Sequence, residues 1–428
     1  MFKTIKGIMQ NAELKKKLLL VLFILLLYKI GTHIPVPGIN SDFLKSFSQE
    51  NGLLTFMNTI SGGSLSSFSI FAVGIMPYIT ASIIIQLLQM DIVPKLAEWS
   101  KQGEAGKQKT KKLTRVITIV LALLQSAGMS MMFSRAYPGL VVNTSVWNYV
   151  IIILSLTIGT ILLMVMGEVI DKKGIGNGIS ILIFAGIMSS IPTNLSMFAA
   201  SEFQGKGLDF IAIMKSVVLA ICILVLIVGV IHISQAYRRI AIRYANQGVD
   251  GASGQVRESY MPIKINTAGV IPVIFSVAII MVPTTIAQFF PNNSVARWIA
   301  GHLNYHQLYG GILYVVLIVL FSFFYAFVQM NPEKTAKDLR ENNGYIPGVK
   351  PGKPTEKYLG GVLGRLTFVG AIYLAVIAVV PLVLGNIAGL PQQVQIGGTS
   401  IIIAVGVALD VYQRIETSLI QKRYQGFL

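Results

Sequence analysis

The chain alternates long apolar runs with shorter polar connections. The runs are 18–34, 70–88, 113–133, 147–167, 178–198, 210–235, 268–289, 308–329, 366–384 and 397–412. Each is near the length of a helix that crosses the hydrocarbon core of a bilayer, so the pattern predicts ten helical spans. The fifth, which Pro192 interrupts, and the last, short and ending in Asp410, are the weakest of them. One stretch breaks the rhythm. Residues 58–69 read NTISGGSLSSFS, small and polar, and feed directly into the second run. Polar backbone at membrane depth is stable only where protein or a water-filled cavity surrounds it. The stretch therefore reads either as a segment folded back into a cavity or as an ordinary surface loop.

Composition fixes the class. Of 428 residues 54% are hydrophobic and 12% charged, with a mean hydropathy of +0.68, whereas soluble domains carry about 25% charged residues. This is a polytopic membrane protein. The single cysteine, Cys222, excludes an intrachain disulfide and a cysteine-based metal site. Met1–Lys17 is polar and basic, and the run after it is too long and lacks a small-residue cleavage site, so no cleavable signal peptide is expected. The formal charge of +17 is distributed by side: all but six of the 35 Lys and Arg residues fall on one set of connections or at the termini. The six are Lys45, Arg135, Lys206 and Arg297 on the opposite side, with Lys29 and Lys215 inside apolar runs. The excess of Lys and Arg marks the cytoplasmic side, which places both termini there.

Two cytoplasmic connections, 236–267 and 331–365, are longer and more basic than topology needs. Their Gly and Pro residues mark turns and hairpins. Projecting basic hairpins are docking surfaces for an acidic partner, such as ribosomal RNA or an acidic patch on a motor. Neither is rich in aromatics, which favours phosphate contact over base readout. An internal echo links the two halves of the chain. Gly74-Ile75-Met76-Pro77-Tyr78-Ile79 opens the second run, and Gly269-Val270-Ile271-Pro272-Val273-Ile274 opens the seventh. Five spans apart, these helices run in opposite directions, the pattern of an inverted-topology repeat. In an Ile-rich chain, chance is the competing explanation.

Several runs are specific enough to carry a family resemblance: SGGSLSSFSIFAVGIMPYITASIIIQLLQ, GIGNGISILIFAGI, NTAGVIPVIFS, YIPGVKPG and GGTSIIIAVGVALD. They resemble the SecY family, the channel subunits of bacterial protein translocases, over nearly the whole chain. The resemblance implies an all-α polytopic fold of ten transmembrane helices in two inverted five-helix halves, 1–200 and 201–428, with a re-entrant plug at about 58–69. It implies a protein-conducting channel that passes unfolded secretory polypeptides across the plasma membrane of a bacterium and releases transmembrane segments sideways into lipid. The pore ring would comprise Ile75, Ile79, Ile179, Ile183, Ile274 and Ile403. The plug would include Ile60, Ser61, Gly62, Gly63, Ser64 and Leu65, and a lateral gate between spans two/three and seven/eight would carry Thr80 and Gln125. Arg238 and Arg239 match the family's paired arginines in one docking loop. Lys350, in V-K-P-G, stands where the family usually has Arg, with Lys353 close by. Implied partners are the small membrane subunits SecE and SecG, the SecA ATPase motor, the ribosome, signal peptides and nascent chains.

Each assignment has a plainer competitor. An isoleucine in a membrane helix more often faces lipid or fills a core, and Thr80 or Gln125 could simply bond a neighbouring helix. Lys29 lies about 18 Å along its helix from Lys17 and must snorkel or find a partner. Glu168 and Asp410 fall near cytoplasmic ends, where carboxylates are tolerated. Gly174-Ile175-Gly176-Asn177-Gly178 follows a span rather than a strand and reads as a turn into the next helix, not a nucleotide site. An ion-coupled secondary transporter would also suit an inverted repeat, but it needs ionisable groups at mid-membrane, and acidic ones are essentially lacking. His33, His232, His302 and His306 form no metal-binding or catalytic set, so neither a cofactor nor an enzyme is expected.

Overall fold

The structure, a computed structural model, describes residues 11–40, 58–89, 93–136, 139–143, 145–203, 210–244, 259–290, 293–303, 307–387 and 392–425. In chain order its elements are α1 (Ala12–Gly31), α2 (Met76–Leu88), α3 (Pro94–Lys101), α4 (Gly103–Ala136), α5 (Val146–Lys173), α6 (Gly178–Phe203) and α7 (Phe210–Gln235). There follow β1 (Tyr237–Tyr244), β2 (Ser259–Lys264), α8 (Ile271–Gln288), α9 (Ser294–His302), α10 (Leu308–Gln329), α11 (Pro332–Glu341), β3 (Gly344–Tyr345), α12 (Lys353–Ile387) and α13 (Gln392–Gln425). Each of the ten apolar runs overlaps one helix, the second of them only over 76–88. By length and composition α4, α5, α6, α7, α10 and α12 can each cross a membrane, while α2 and α8 are shorter apolar helices.

Helix starts follow local chemistry. Asn11 caps α1 by accepting from the Glu13 and Leu14 amides, and Asn331 caps α11 ahead of Pro332; both satisfy amides the first turn leaves unpaired. Two expectations about the spans change. The fifth is not interrupted: α6 runs continuously through Pro192, as α8 and α12 do through Pro283 and Pro381. A proline costs a membrane helix one backbone bond, which neighbours can offset. The tenth is not short either, since α13 extends well past Asp410, where Arg414 pairs with it at 2.9 Å.

The sequence echo is a structural repeat. Gly74 and Gly269 take φ of +67° and +64°, a left-handed conformation that glycine adopts without strain. The next residues, Ile75 and Val270, have φ/ψ of −94°/1° and −95°/−2°, and each helix then begins with proline in its first turn. Packing repeats as well: α2–α4, α4–α5 and α5–α6 contacts in the first half match α8–α10, α10–α12 and α12–α13 contacts in the second. The halves meet along two seams. One joins α6 to α13; the other, less extensive, joins α8 to α2 and α4.

On one end of the bundle stands a small unit with its own core. Strands β2-β1-β3 form an antiparallel sheet, so the connection 236–267 is a hairpin; its tip, 245–258, lies outside the described residues. Ile240, Ile242, Ile263, Leu339, Ile346, Leu359 and Leu363 are buried together beneath the sheet.

Candidate functional site

The six isoleucines expected at the pore come from four helix segments. Ile75 caps α2 and Ile79 follows one turn later, while Ile179 and Ile183 occupy the same i, i+4 relation at the start of α6. Ile274 lies in the first turn of α8 and Ile403 on α13. Ile75, Ile79, Ile183, Ile274 and Ile403 are buried in one apolar cluster, and Ile179 packs against it. The start of α6 is fixed by polar bonds: the Asn177 side chain accepts from the Ile179 and Ser180 amides at 3.1 and 3.2 Å, and Asp171 accepts from the Gly178 amide at 2.8 Å. The glycine-rich stretch before it is therefore a turn and cap, as its sequence predicts. The collar is continuous with the helix-packing core, which also holds Ile24, Ile60 and Ile187. All six side chains are aliphatic and carry no hydrogen-bonding group.

The polar segment before α2 is folded into the protein, not laid on its surface. Ile60, Ser61, Ser64, Leu65, Phe68 and Ser69 are buried, and Gly62 and Gly63 turn the chain at φ +70° and +87°. Its backbone is satisfied by turns and hydroxyls: Gly63 N donates to Asn58 O at 2.8 Å, Ser69 N to Ser64 O at 2.9 Å, and the Ser64 hydroxyl to Phe71 O at 2.8 Å. Two short β-type bonds, Val36 N to Phe68 O and Ile70 N to Ile34 O, tie it to the end of α1. Ile60 joins the collar's cluster, and Leu65 joins a second one with Phe68, Phe133, Leu140 and Leu156. The seat is made of glycines. A methyl at Gly186 on α6 would lie 1.9 Å from the Ile60 carbonyl oxygen, and one at Gly159 on α5 would lie 1.8 Å from the Ile70 carbonyl oxygen. Sequence reading missed both residues; a glycine inside an apolar span is the available signal for such close approach.

Thr80 is buried on α2 and Gln125 half-buried on α4, the two helices that α8 touches. Lys29 has a partner: its ammonium donates to the Ser189 hydroxyl on α6. Glu168 is not a free carboxylate at a helix end, as expected from its position. It forms a two-point ion pair with Arg115, Nε to Oε1 at 2.6 Å, with a side chain only 15% exposed. That pair fastens α4 to α5.

In the small sheet unit Arg238 and Arg239 are both exposed, but successive strand residues point to opposite faces. Arg239 shares the outer face with Tyr237, to whose hydroxyl it donates at 2.8 Å and over whose ring it lies at 5.2 Å. Arg238 therefore belongs to the other face. Lys350 is exposed between two turns built on Gly348 and Gly352, at φ +79° and +95°, and Lys353 opens α12. The Lys350 carbonyl accepts from Thr355 at 2.9 Å, and Val349 packs into the sheet's core, so the position is held firmly. Lys264 bonds Gln413 at 2.6 Å, linking the sheet to α13.

Comparisons with known proteins agree with this architecture. The family model described as SecY matches residues 69–412. The protein translocase subunit SecY of Bacillus subtilis (strain 168) is 49% identical over 430 residues, covering all of both chains. Among solved structures, a protein-conducting channel superposes with a TM-score of 0.66 at 20% identity, covering 95% of this chain and 93% of that one. An idle yeast Ssh1 complex bound to the yeast 80S ribosome gives 0.61 at 16% identity, covering 91% and 87%. With the ten spans, the inverted repeat and the buried polar segment already in place, the full-length match leaves one assignment: the chain belongs to the SecY family of protein translocase subunits.

Proposed function

We propose that unfolded polypeptides cross the membrane between the two halves of this chain, 1–200 and 201–428, through the collar of Ile75, Ile79, Ile179, Ile183, Ile274 and Ile403. The observation that carries the reading is that these residues, from both halves, belong to or pack against one apolar cluster that also takes in Ile60 of segment 58–69. A narrow apolar ring stops ions by dewetting, and it grips no particular side chain, which suits a channel that must pass any sequence. The segment of Ile60, Ser61, Gly62, Gly63, Ser64 and Leu65 is the plug.

The seam of α8 against α2 and α4 is the lateral gate, with Thr80 and Gln125 on its first-half side. The seam of α6 against α13 is the hinge side. A signal peptide or nascent membrane helix leaves through the gate because lipid is the better solvent for it. Exposed Arg238, Arg239, Lys350 and Lys353 give the cytoplasmic unit the charge to dock a ribosome or the SecA motor, and small membrane subunits such as SecE and SecG brace the halves. Both termini lie in the cytoplasm, on the side where basic residues concentrate. Nothing in the fold favours an ion-coupled transporter.

Ion flux through the purified, reconstituted chain tests the collar. Ile403→Asn should raise resting leak by an order of magnitude by wetting the waist, whereas a leak equal to that of the unaltered chain would refute the assignment.

A further inference from the structure

The repeat extends beyond the two helices to the elements that hold them, and there the halves differ. Ile70, four residues before Gly74, presses its carbonyl onto Gly159 of α5, where an added methyl would lie 1.8 Å from the oxygen. Ile265, four residues before Gly269, does the same on Gly370 of α12, at 2.8 Å. In the ten-span order α5 and α12 are the fourth and ninth spans, so both the approach to each helix and its seat recur. The bonds that start the helices recur too: Tyr78 N to Ile75 O at 3.1 Å and Val273 N to Val270 O at 3.2 Å.

The asymmetry lies one residue past each seat. After Gly159 comes Thr160, fully buried, whose hydroxyl shares its proton between the Leu156 carbonyl one turn back on α5, at 3.3 Å, and the Gly74 carbonyl, at 3.2 Å. That carbonyl belongs to the left-handed residue about which the start of α2 would turn. After Gly370 comes Ala371, equally buried and without a hydroxyl to give. One turn back on α12 is Thr367, whose buried hydroxyl has no hydrogen-bond partner among the described residues. The start of α8 rests instead on an apolar contact: a methyl at Gly406 of α13 would lie 2.3 Å from Val270 Cγ1. A buried hydrogen bond resists rotation of the groups it joins, whereas an apolar contact can slide.

We propose that Thr160 is a positioning residue: its hydroxyl pins the start of α2 to α5, so that on opening α2 stays with its own half and α8 is the helix that swings. The inference rests on the reading that α2 and α8 flank a gate. It assigns unequal work to two helices whose backbones start identically.

Distances between spin labels test it, in the full chain reconstituted in lipid with Cys222→Ser removing the native thiol. One label pair, at Ile84 on α2 and Leu154 on α5, reports on the first half; the other, at Ile286 on α8 and Val376 on α12, reports on the second. All four positions are exposed. With a synthetic signal peptide added, the Ile286–Val376 distance should shift and the Ile84–Leu154 distance should stay. Thr160→Val keeps the shape and loses the donor, so the shifted population of the first pair should rise about fivefold, the factor one ordinary hydrogen bond is worth. Thr160→Ser should restore the unmodified distribution, which a role confined to packing would not. If the first pair moves as far as the second in the unmodified chain, or ignores Thr160→Val, the tether is wrong. If neither pair moves, the gate reading itself fails.

Discussion

The proposed plug segment and the three-stranded sheet both interrupt a helical protein, and each must satisfy backbone groups that no long helix provides for. They do so in opposite ways. The sheet uses a ladder, with Tyr237 to Ile242 paired in register with Lys264 to Ser259, over a core of eight buried aliphatic side chains from the strands, the turn after β3, α10, α11 and α12. The plug uses single turns, serine hydroxyls and two bonds to the end of α1, and it is seated on glycines that let backbone touch backbone. A ladder over a core breaks cooperatively. A set of isolated turns breaks piecemeal, each bond netting only about 1 kcal/mol, so the main cost of lifting the segment is exposing Ile60, Leu65 and Phe68. On the proposed assignment a docking surface has to hold its shape under load, and a plug has to leave. The difference in construction matches the difference in duty.

Four substitutions sharpen or break that contrast, beginning with the largest effect. Gly186→Leu drives a side chain into the Ile60 carbonyl and should unseat the plug, raising ion leak of the reconstituted channel tenfold or more. Unchanged leak would mean the segment is not a seal. Ile242→Asp puts a charge into the sheet's core, a change in the class that costs several kcal/mol. It should abolish binding of the ribosome or motor while helical content by circular dichroism stays within a few per cent. Ser64→Ala removes the buried bond to Phe71 at about 1 kcal/mol. It should speed protease or thiol-reagent access to the plug several-fold without altering docking. Lys350→Glu, on a firmly held turn, should cut motor-driven transport of a secreted precursor several-fold and leave assembly intact, because it reverses one exposed charge and touches no core residue.

What could be read from the sequence was what repeats or has local cause. The ten runs, the turn before α6 and the Gly-x-x-Pro echo all depend on neighbours within a few residues, and each has its counterpart in the fold. Pairings across the chain were not legible. Arg115 and Glu168 are 53 residues apart, and Gly186 gives no local sign that Ile60 rests on it. The sheet was half visible: Ile240 and Ile242 alternate with Arg239 and Arg243, the period of a half-buried strand, though long basic loops suggested only hairpins. The alternation also shows why Arg238 and Arg239, adjacent in a family motif, face different ways.

The central claim is that the isoleucine collar surrounds the moving chain. Site-specific photo-cross-linking of a stalled precursor tests it most directly, with probes at Ile79 and Ile274 and a control at Val225, which faces outward on α7 with 64% exposure. The account predicts strong adducts to the precursor from Ile79 and Ile274 and none from Val225. Adducts from Val225, or silence from both isoleucines while the precursor remains engaged, would contradict it.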